Sequence, residues 1–192
     1  SPRMVTKQVS FYEEMTNVPF IIAGPGIHPR QKPVEDLLTQ PTIDLLPTLC
    51  ELAGIPVPSS KPGISLAPFL KGEKQKRQHP YAASEWHSEY EVTVSPGRMI
   101  RSPRYKYTHY LEGNGEELYD MLKDKGERRN LAHDPKYSKI LAEHRALLDD
   151  YIRRTQDDYR SLKVEADKRW RSHAPGYPNH EGPCARDIIN RK

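Results

Sequence analysis

The sequence has few cysteines, no long apolar run and no acceptor site for N-linked glycans. Only Cys50 and Cys184 occur in the 192 residues, which allows one disulfide at most, and neither has the spacing of a metal site. No apolar stretch approaches the ~20 residues that a membrane span needs. The absence of Asn-X-Ser/Thr disfavours a glycosylated eukaryotic secreted protein. Cys50 lies in an apolar helical pattern, so we expect a buried thiol there.

The charge of the chain favours no nucleic-acid partner. The formal net charge is +4, but lysine and arginine are interleaved with aspartate and glutamate along most of the sequence. Such interleaving is typical of a solvated surface. The sequence contains no zinc-finger spacing, RNP motif or basic helix, so we expect no nucleic-acid binding.

Residues 18–23 form a continuous apolar run, which Gly24-Pro25-Gly26 ends. A run without a polar face is typical of a strand buried on both sides, as in the central sheet of an α/β protein. The residues up to 80 provide no set of similar strands, so its partners are expected to precede Ser1. The sequence therefore predicts that residues 1–70 are the tail end of a larger α/β domain.

A helix is predicted over residues 42–53. The apolar positions at helical spacing are Ile43, Leu46, Cys50 and Ala53. Gly54 suits the left-handed position after the last turn. Pro47 is tolerated best near a helix start, where a missing N–H costs least. The segment 55–80 is rich in proline and lysine, and its last part, 71–80, is predicted to be a linker between subdomains.

Residues 81–160 predict a small antiparallel sheet packed on one long helix. The strand candidates are Tyr81–Trp86, Arg98–Arg101, Tyr105–Tyr110 and Glu117–Asp120. Turn residues separate most of them, which indicates a meander. Asp134 and Pro135 are suited to the start of a helix over 135–155. Its apolar stripe consists of Tyr137, Ile140, Leu141, His144, Leu147, Leu148, Tyr151 and Ile152. The tail 161–192 is predicted to be irregular.

The order of these landmarks resembles the second half of a sulfatase. The first part of the resemblance lies in Lys7, Phe11-Tyr12-Glu13-Glu14, Val18-Pro19-Phe20-Ile21, Gly24-Pro25-Gly26, Ile43-Asp44-Leu45-Leu46-Pro47-Thr48-Leu49, Ala53-Gly54-Ile55 and Gly63-Ile64-Ser65-Leu66. The later part lies in Ser84-Glu85, Arg98-Met99-Ile100-Arg101, Tyr105-Lys106-Tyr107, Glu117-Leu118-Tyr119-Asp120 and Glu127-Arg128-Arg129-Asn130-Leu131-Ala132. The resemblance covers residues 5–155, and an ordered series is more specific than any single motif.

The resemblance implies an alkaline-phosphatase-like fold: a large mixed α/β domain, followed by a subdomain of about four antiparallel strands on a helix. It also implies hydrolysis of sulfate esters by a formylglycine, made from the first residue of Cys/Ser-X-Pro-X-Arg, beside a calcium ion. Cys50 is followed by Glu51-Leu52, and Cys184 by Ala185-Arg186, so neither cysteine begins that motif. We therefore expect no metal ligand in this chain, and expect the nucleophile and calcium ligands in the N-terminal catalytic part of the same protein.

Four residues are candidates for the substrate site. Lys7 matches the family lysine that contacts the substrate sulfate, although it precedes Tyr12 by five positions where the family pattern has four. An ammonium there would offset charge on the sulfate and on the leaving oxygen. The family's subdomain borders the active-site mouth, which makes Glu85, His87 and Arg98 candidates for contacts with the rest of the substrate.

The implied function is that of a C-terminal sulfatase fragment, inactive alone, from a parent that acts on sulfated carbohydrate or aryl sulfates. A sulfated glycan or small molecule is the expected ligand, and a periplasmic or secreted bacterial location is expected for the parent. Two alternatives are open here: an independent binding module of a sheet and a helix, and part of a phosphoesterase or phosphonate ester hydrolase. An independent module would have no reason to expose the apolar run 18–23.

Overall fold

The computed structural model describes residues 10–30, 32–34, 37–59, 62–75, 79–86, 96–111 and 115–161. Its α-helices are α1 (Glu13–Thr16), α2 (Pro41–Leu52), α3 (Ala67–Leu70) and α4 (Ser138–Thr155). Its strands are β1 (Ala82–Trp86), β2 (Gly97–Arg101), β3 (Tyr105–Tyr110) and β4 (Glu116–Asp120). The predictions for Lys7, for His87 and for the tail from residue 162 on lie outside the described residues.

The predicted buried strand over residues 18–23 is absent from the structure. These residues form no strand, and the exposed fraction is 58% for Val18 and 86% for Ile21. A strand exists only where a neighbour accepts and donates its backbone hydrogen bonds. The described strands β1 to β4 pair with one another, and none of them pairs with this run.

Helix α2 confirms the predicted helix, but a different face of it is buried. The buried residues are Asp44, Pro47 and Thr48, whereas Leu46 is 45% exposed. Asp44 Oδ1 accepts a hydrogen bond from Ile64 N at 2.8 Å, and Thr48 Oγ1 accepts one from Leu66 N at 3.0 Å. Burying an unpaired backbone N–H is more costly than exposing an apolar side chain, so the polar face turns inward.

Pro47 lies inside α2 rather than at its start. Since proline has no N–H, the carbonyl of Ile43 lacks its usual helical donor. The backbone of Gly63 packs against this carbonyl, with a φ of +119°, and a Cβ on Gly63 would lie 2.1 Å from Ile43 O. The close approach therefore requires glycine at position 63.

In the segment predicted as a linker, 71–80, residues 71–74 and Pro80 are exposed, while Gln75 and His79 contact other parts of the chain. Gln75 Nε2 donates to Ser65 O at 3.0 Å, and His79 Nε2 lies 2.7 Å from the buried carboxylate of Asp44. Asp44 thus joins α2 to the residue that leads into β1.

The four strands form an antiparallel meander in the order β1-β2-β3-β4, as predicted. Ala82 pairs with Arg101, Arg101 with Lys106, and Lys106 with Tyr119. Side chains of successive residues therefore point to opposite faces of the sheet.

One face of the sheet packs against α4, as the apolar stripe predicted. The core residues are Tyr81, Ile100, Tyr107, Leu118, Leu131, Leu141 and Leu148. Asp134 accepts a hydrogen bond from Lys136 N at 3.0 Å at the start of a 3₁₀ turn, Pro135–Tyr137, that precedes α4. His144 lies in this core with both ring nitrogens bonded, Nε2 to Ser102 Oγ at 2.9 Å and Nδ1 to Ile140 O at 2.8 Å.

A side-chain amide occupies one step of each outer edge of the sheet. On the β1 side, Gln40 Oε1 accepts from Ala83 N at 3.0 Å and Gln40 Nε2 donates to Tyr81 O at 3.4 Å. On the β4 side, Asn130 Oδ1 accepts from Leu118 N and Asn130 Nδ2 donates to Glu116 O, each at 3.0 Å. Each amide takes the place of a neighbouring strand along one step of the ladder.

Candidate functional site

A buried lysine holds the N-terminal segment against the second face of the sheet. Lys106 is 1% exposed, and its ammonium lies 2.7 Å from Glu13 Oε1 and 2.9 Å from Glu127 Oε1. It also donates to Phe11 O at 2.8 Å and lies 3.4 Å from Thr16 Oγ1. One cation on a central strand thereby fixes both ends of the segment Phe11–Thr16.

The position of Lys106 follows from strand alternation. Tyr107 points into the core with α4, so the preceding lysine points to the opposite face of β3. A lysine is rarely so buried without an anionic partner, because desolvation of the ammonium is costly. Glu13 and Glu127 provide that charge.

Glu127 reaches the cluster from a strained turn after β4. Its backbone has a φ of +50°, an uncommon conformation for a residue with a side chain. Its Oε2 accepts a hydrogen bond from Glu13 N at 2.7 Å, while its Oε1 faces Lys106. This strain is offset by a carboxylate that bridges the N-terminal segment and the sheet.

Burial shapes the protonation of the acids on this face. Burial, followed by the charge of Glu127, raises the pKa of Glu117 to about 7. Burial likewise raises the pKa of Glu127 and raises that of Tyr12 to about 12. The ring of Tyr12 lies 6.4 Å from that of Tyr119. The cluster is suited to hold a segment of backbone in place.

Arg98, a predicted substrate contact, lies inside the protein on the α4 side of the sheet. Its side chain is 0% exposed and donates to both carboxylate oxygens of Asp157, at 2.6 and 2.8 Å. It donates further to Trp86 O at 3.0 Å and to Gly97 O at 2.8 Å. These contacts give Arg98 an internal partner, and a direct substrate contact stays a prediction.

Glu85 is exposed, as a substrate contact would require, and it accepts a hydrogen bond from Tyr151 Oη at 2.6 Å. Among the described residues, no three His, Cys, Asp or Glu side chains are grouped so that they could hold a metal ion. In the same part of the chain no helix is long and apolar enough to cross a bilayer.

The cluster around Lys106 was missed by reasoning from the sequence. Its partners Phe11 and Lys106 are 95 residues apart, so no local pattern joins them. The available signal was a lysine between two tyrosines in a predicted strand, where alternation places it on the face away from the helix. A buried position for a lysine predicts carboxylate partners elsewhere in the chain.

Comparison with known proteins decides the family. The model of the family described as N-sulphoglucosamine sulphohydrolase, C-terminal, matches residues 5–154. The chain belongs to this family. It is therefore a sulfatase C-terminal portion with a sheet and a helix, as the resemblance implied, and the alternative of an unrelated binding module is wrong.

The most informative relatives are bacterial sulfatases. A Delta 4,5-hexuronate-2-O-sulfatase of Bacteroides thetaiotaomicron is 76% identical over 192 residues, which are 100% of this chain and 40% of that protein. A solved structure of a 2-O GAG sulfatase matches with a TM-score of 0.83 and 77% identity, covering 97% of this chain and 40% of its own. The chain thus spans about two fifths of the length of these relatives.

A more distant structure holds a ligand. It is described as a complex with its substrate D-glucosamine-2-N,6-O-disulfate, and it matches with a TM-score of 0.56 and 27% identity. The match covers 62% of this chain and 25% of that one. The substrate of that structurally similar protein is therefore a sulfated sugar.

Proposed function

We propose that the full-length protein containing this chain hydrolyses sulfate esters of carbohydrates, and that its substrate is a hexuronate sulfated at O2. The observation that carries the proposal is the 76% identity, over every residue of this chain, to a Delta 4,5-hexuronate-2-O-sulfatase. The match runs over the whole of this chain, including the sheet, so this portion is expected to have the same structural role in both proteins.

The nucleophile and the metal are provided by residues outside this chain. A formylglycine and a calcium ion are the cofactors that the sulfatase family implies, and the described residues contain no group of ligands fit for a cation. Formylglycine would supply the nucleophilic oxygen and calcium would offset sulfate charge. This chain contributes the subdomain, the packed helices and the site residues discussed next.

Lys7 is the proposed sulfate contact within this chain. It precedes the segment Phe11–Thr16, which is fixed to the sheet, so a fixed anchor follows it closely in sequence. Glu85 and His87 are proposed to bind the rest of the sugar, which is supported by the exposure of Glu85 at the end of β1. For Arg98 to contact substrate, its pair with Asp157 would have to open.

The partner of this chain is the N-terminal catalytic part of the same protein. Its support is an apolar surface that the described residues leave uncovered: Leu45, Leu46 and Leu49 on α2 are 40%, 45% and 49% exposed. Val18 and Ile21 are exposed as well. Several exposed leucines on one helix are typical of a surface that is buried against another part of a protein.

A periplasmic or secreted location is proposed for the full-length protein, on the basis of its similarity to a bacterial sulfatase. Fractionation of cells into periplasm, medium and cytoplasm, followed by sulfatase assay, checks it. Activity confined to the cytoplasm would contradict it.

The substrate proposal is tested with the full-length enzyme and defined disaccharides. Sulfate release is measured by ion chromatography from an unsaturated disaccharide with a 2-O-sulfated hexuronate, and from matched disaccharides that carry the sulfate only on the glucosamine. We expect turnover of the first and at least about a hundredfold lower kcat/KM on the others, since a misplaced reacting bond costs that much. Preference for a phosphate or phosphonate ester would overturn the reaction class, and preference for the glucosamine sulfate would overturn the substrate.

A further inference from the structure

We propose that Lys106 is a positioning residue of the sulfatase site, which acts by fixing the segment Phe11–Thr16 that follows the proposed sulfate contact Lys7 after three residues. The inference rests on the proposed function, because Lys7 matters only if the full-length protein is a sulfatase. It assigns a role in turnover to a side chain that lies inside the protein.

Lys106 is suited to positioning rather than to contact with substrate. An ammonium has three N–H donors, and those of Lys106 face Phe11 O, Glu13 and Glu127. With 1% of its surface exposed, the residue has no donor left for a sulfate. Its effect on the reaction must therefore pass through the groups that it holds.

The anchor is rigid on the sheet side. Lys106 lies on β3, where Arg101 of β2 and Tyr119 of β4 flank it across the two ladders. A strand paired on both sides moves less than a loop, so a side chain from it can fix a segment within a fraction of an ångström.

The anchored segment lies close to Lys7 along the chain. Phe11, whose carbonyl accepts the hydrogen bond from Lys106, lies four positions after Lys7. Four residues span at most about 14 Å, so a shift of Phe11 reaches Lys7 within a short length of chain.

Loss of the ammonium would move this segment. Without Lys106, the carboxylates of Glu13 and Glu127 would lose the cation that contacts both of them, and the more distant Arg101, 3.9 Å from Glu13 Oε1, would be left to face Glu13. The two acids would repel each other more strongly, and Phe11 O would lose its donor, so the hold of the sheet on α1 would weaken. A misplacement of about 1 Å near a reacting group lowers the rate by up to about a hundredfold.

The test is a double-mutant cycle in the full-length enzyme between Lys106→Met and Lys7→Ala. Methionine keeps most of the volume of the lysine stem and removes the charge. Lys106→Arg tests rescue by another cation, and Lys139→Met, at an exposed position of α4, is the matched control. For each variant, kcat and KM are measured on a 2-O-sulfated disaccharide, with the melting temperature as a check on folding.

We expect Lys106→Met to lower kcat by about tenfold to a hundredfold with a much smaller change in KM, since a charge-stabilising contact acts mainly in the transition state. In the Lys7→Ala background, Lys106→Met should lower kcat by less than about twofold, because the contact that Lys106 positions is already gone. Arginine at position 106 should restore part of kcat, and Lys139→Met should have no effect.

Equal losses from Lys106→Met in both backgrounds would overturn the proposal, since a general structural role does not depend on Lys7. A Lys7→Ala enzyme with unchanged turnover would overturn it as well. If Lys106→Met does not fold, the cycle is repeated with Glu13→Gln, which keeps the shape of the side chain, and the same criteria apply. A full-length wild-type enzyme that releases no sulfate from any substrate would contradict the proposed function instead.

Discussion

Glu116 and Glu117 are neighbours on β4, yet their carboxylates lie on opposite faces of the sheet and their pKa values are shifted in opposite directions. Hydrogen bonds from Arg145, and then from Tyr107, hold the pKa of Glu116 down at about 2. Burial beside Glu127 raises the pKa of Glu117 to about 7. One step along a strand thus separates a stabilised carboxylate from a destabilised one.

The pair predicts two pH effects of opposite sign. A raised pKa means that the folded state holds its proton more tightly, so the contribution of Glu117 is complete below about pH 4.5 and is lost as the pH rises through about 7. We expect Glu117→Gln to reduce the loss of unfolding free energy between about pH 5 and pH 8 by roughly 1–3 kcal/mol. Urea unfolding of the chain across this pH range measures it.

Glu116 is the control for this prediction. Its contribution is present above about pH 4.5 and lost as the pH falls through about 2, so Glu116→Gln should flatten the acid limb instead. The side chain of Arg145 is 52% exposed, so the ion pair is screened by water. Glu116→Gln should therefore lower the unfolding free energy at neutral pH by only about 1 kcal/mol or less. If Glu116→Gln and Glu117→Gln changed the pH dependence of the unfolding free energy in the same way, the opposite pKa shifts of the two residues would be contradicted.

A second prediction separates the structural and substrate roles of Arg98. Arg98→Ala leaves the carboxylate of Asp157 buried without its cation, so we expect a loss of about 3–5 kcal/mol in unfolding free energy. Arg153→Ala, which removes a pair whose arginine is 79% exposed, should cost less than about 1 kcal/mol. Urea denaturation compares the two.

In the full-length enzyme, a substrate role for His87 or Arg98 predicts a larger loss of kcat/KM on a sulfated glycan than on a small aryl sulfate, because only the glycan extends to that region. For His87→Ala we expect the glycan to be selectively affected. For Arg98, equal losses on both substrates would show that the residue serves the fold alone.

A third prediction concerns the core under α4. Leu148 is 1% exposed, so Leu148→Asp places an unpaired charge in the core and should destabilise the chain by several kcal/mol, enough to unfold the sheet and helix. Leu122→Asp makes the same chemical change at a residue that is 65% exposed and should stay within about 0.5 kcal/mol. An unchanged melting temperature of Leu148→Asp would mean that α4 does not cover the sheet.

A fourth prediction uses two glycines with positive φ. Gly63→Ala would bring a Cβ within 2.1 Å of Ile43 O, whereas a Cβ at Gly54 meets nothing within 4 Å. Gly54→Ala should therefore lower the unfolding free energy by about 1–2 kcal/mol, which is the cost of placing an alanine in the left-handed conformation. Gly63→Ala adds a backbone clash and should cost clearly more. Thermal unfolding of both variants decides the order.

A fifth prediction is that chain 1–192 alone has no sulfatase activity and binds no calcium tightly. The reason is that neither cysteine begins the motif of the nucleophile, and the described residues hold no cluster of ligands. Aryl sulfate assay and calorimetric titration with Ca²⁺ check it, with the full-length enzyme as positive control. Turnover by the purified chain would contradict it.

The sheet and its helix were predictable because their signals are local. Tyr105–Tyr110 was predicted with the observed bounds, and β2 and β4 each begin one residue before the predicted start. Turn residues and strand alternation lie within a few positions of the elements they define. The helical stripe of α4 is likewise a property of consecutive turns.

The remaining features depend on contacts between distant residues. Periodicity predicted that the apolar side of α2 is buried. The polar side is buried instead, because Asp44 and Thr48 accept hydrogen bonds from the backbone of Ile64 and Leu66. For the candidate site, the lysine at 106 and its carboxylates lie on three separate segments. Such contacts are decided by the tertiary arrangement, which no window of sequence contains.

The amides of Gln40 and Asn130 have a consequence for how this portion behaves outside its parent. Exposed strand edges recruit further strands from other molecules, and this is a common route to fibrous aggregates. Here the outward groups at Tyr81 and Ala83, and at Glu116 and Leu118, are already occupied from within the chain. Aggregation of this portion should therefore depend on the exposed leucines of α2 more than on the strand edges. Polar substitutions at those leucines should reduce it more than substitutions in the sheet.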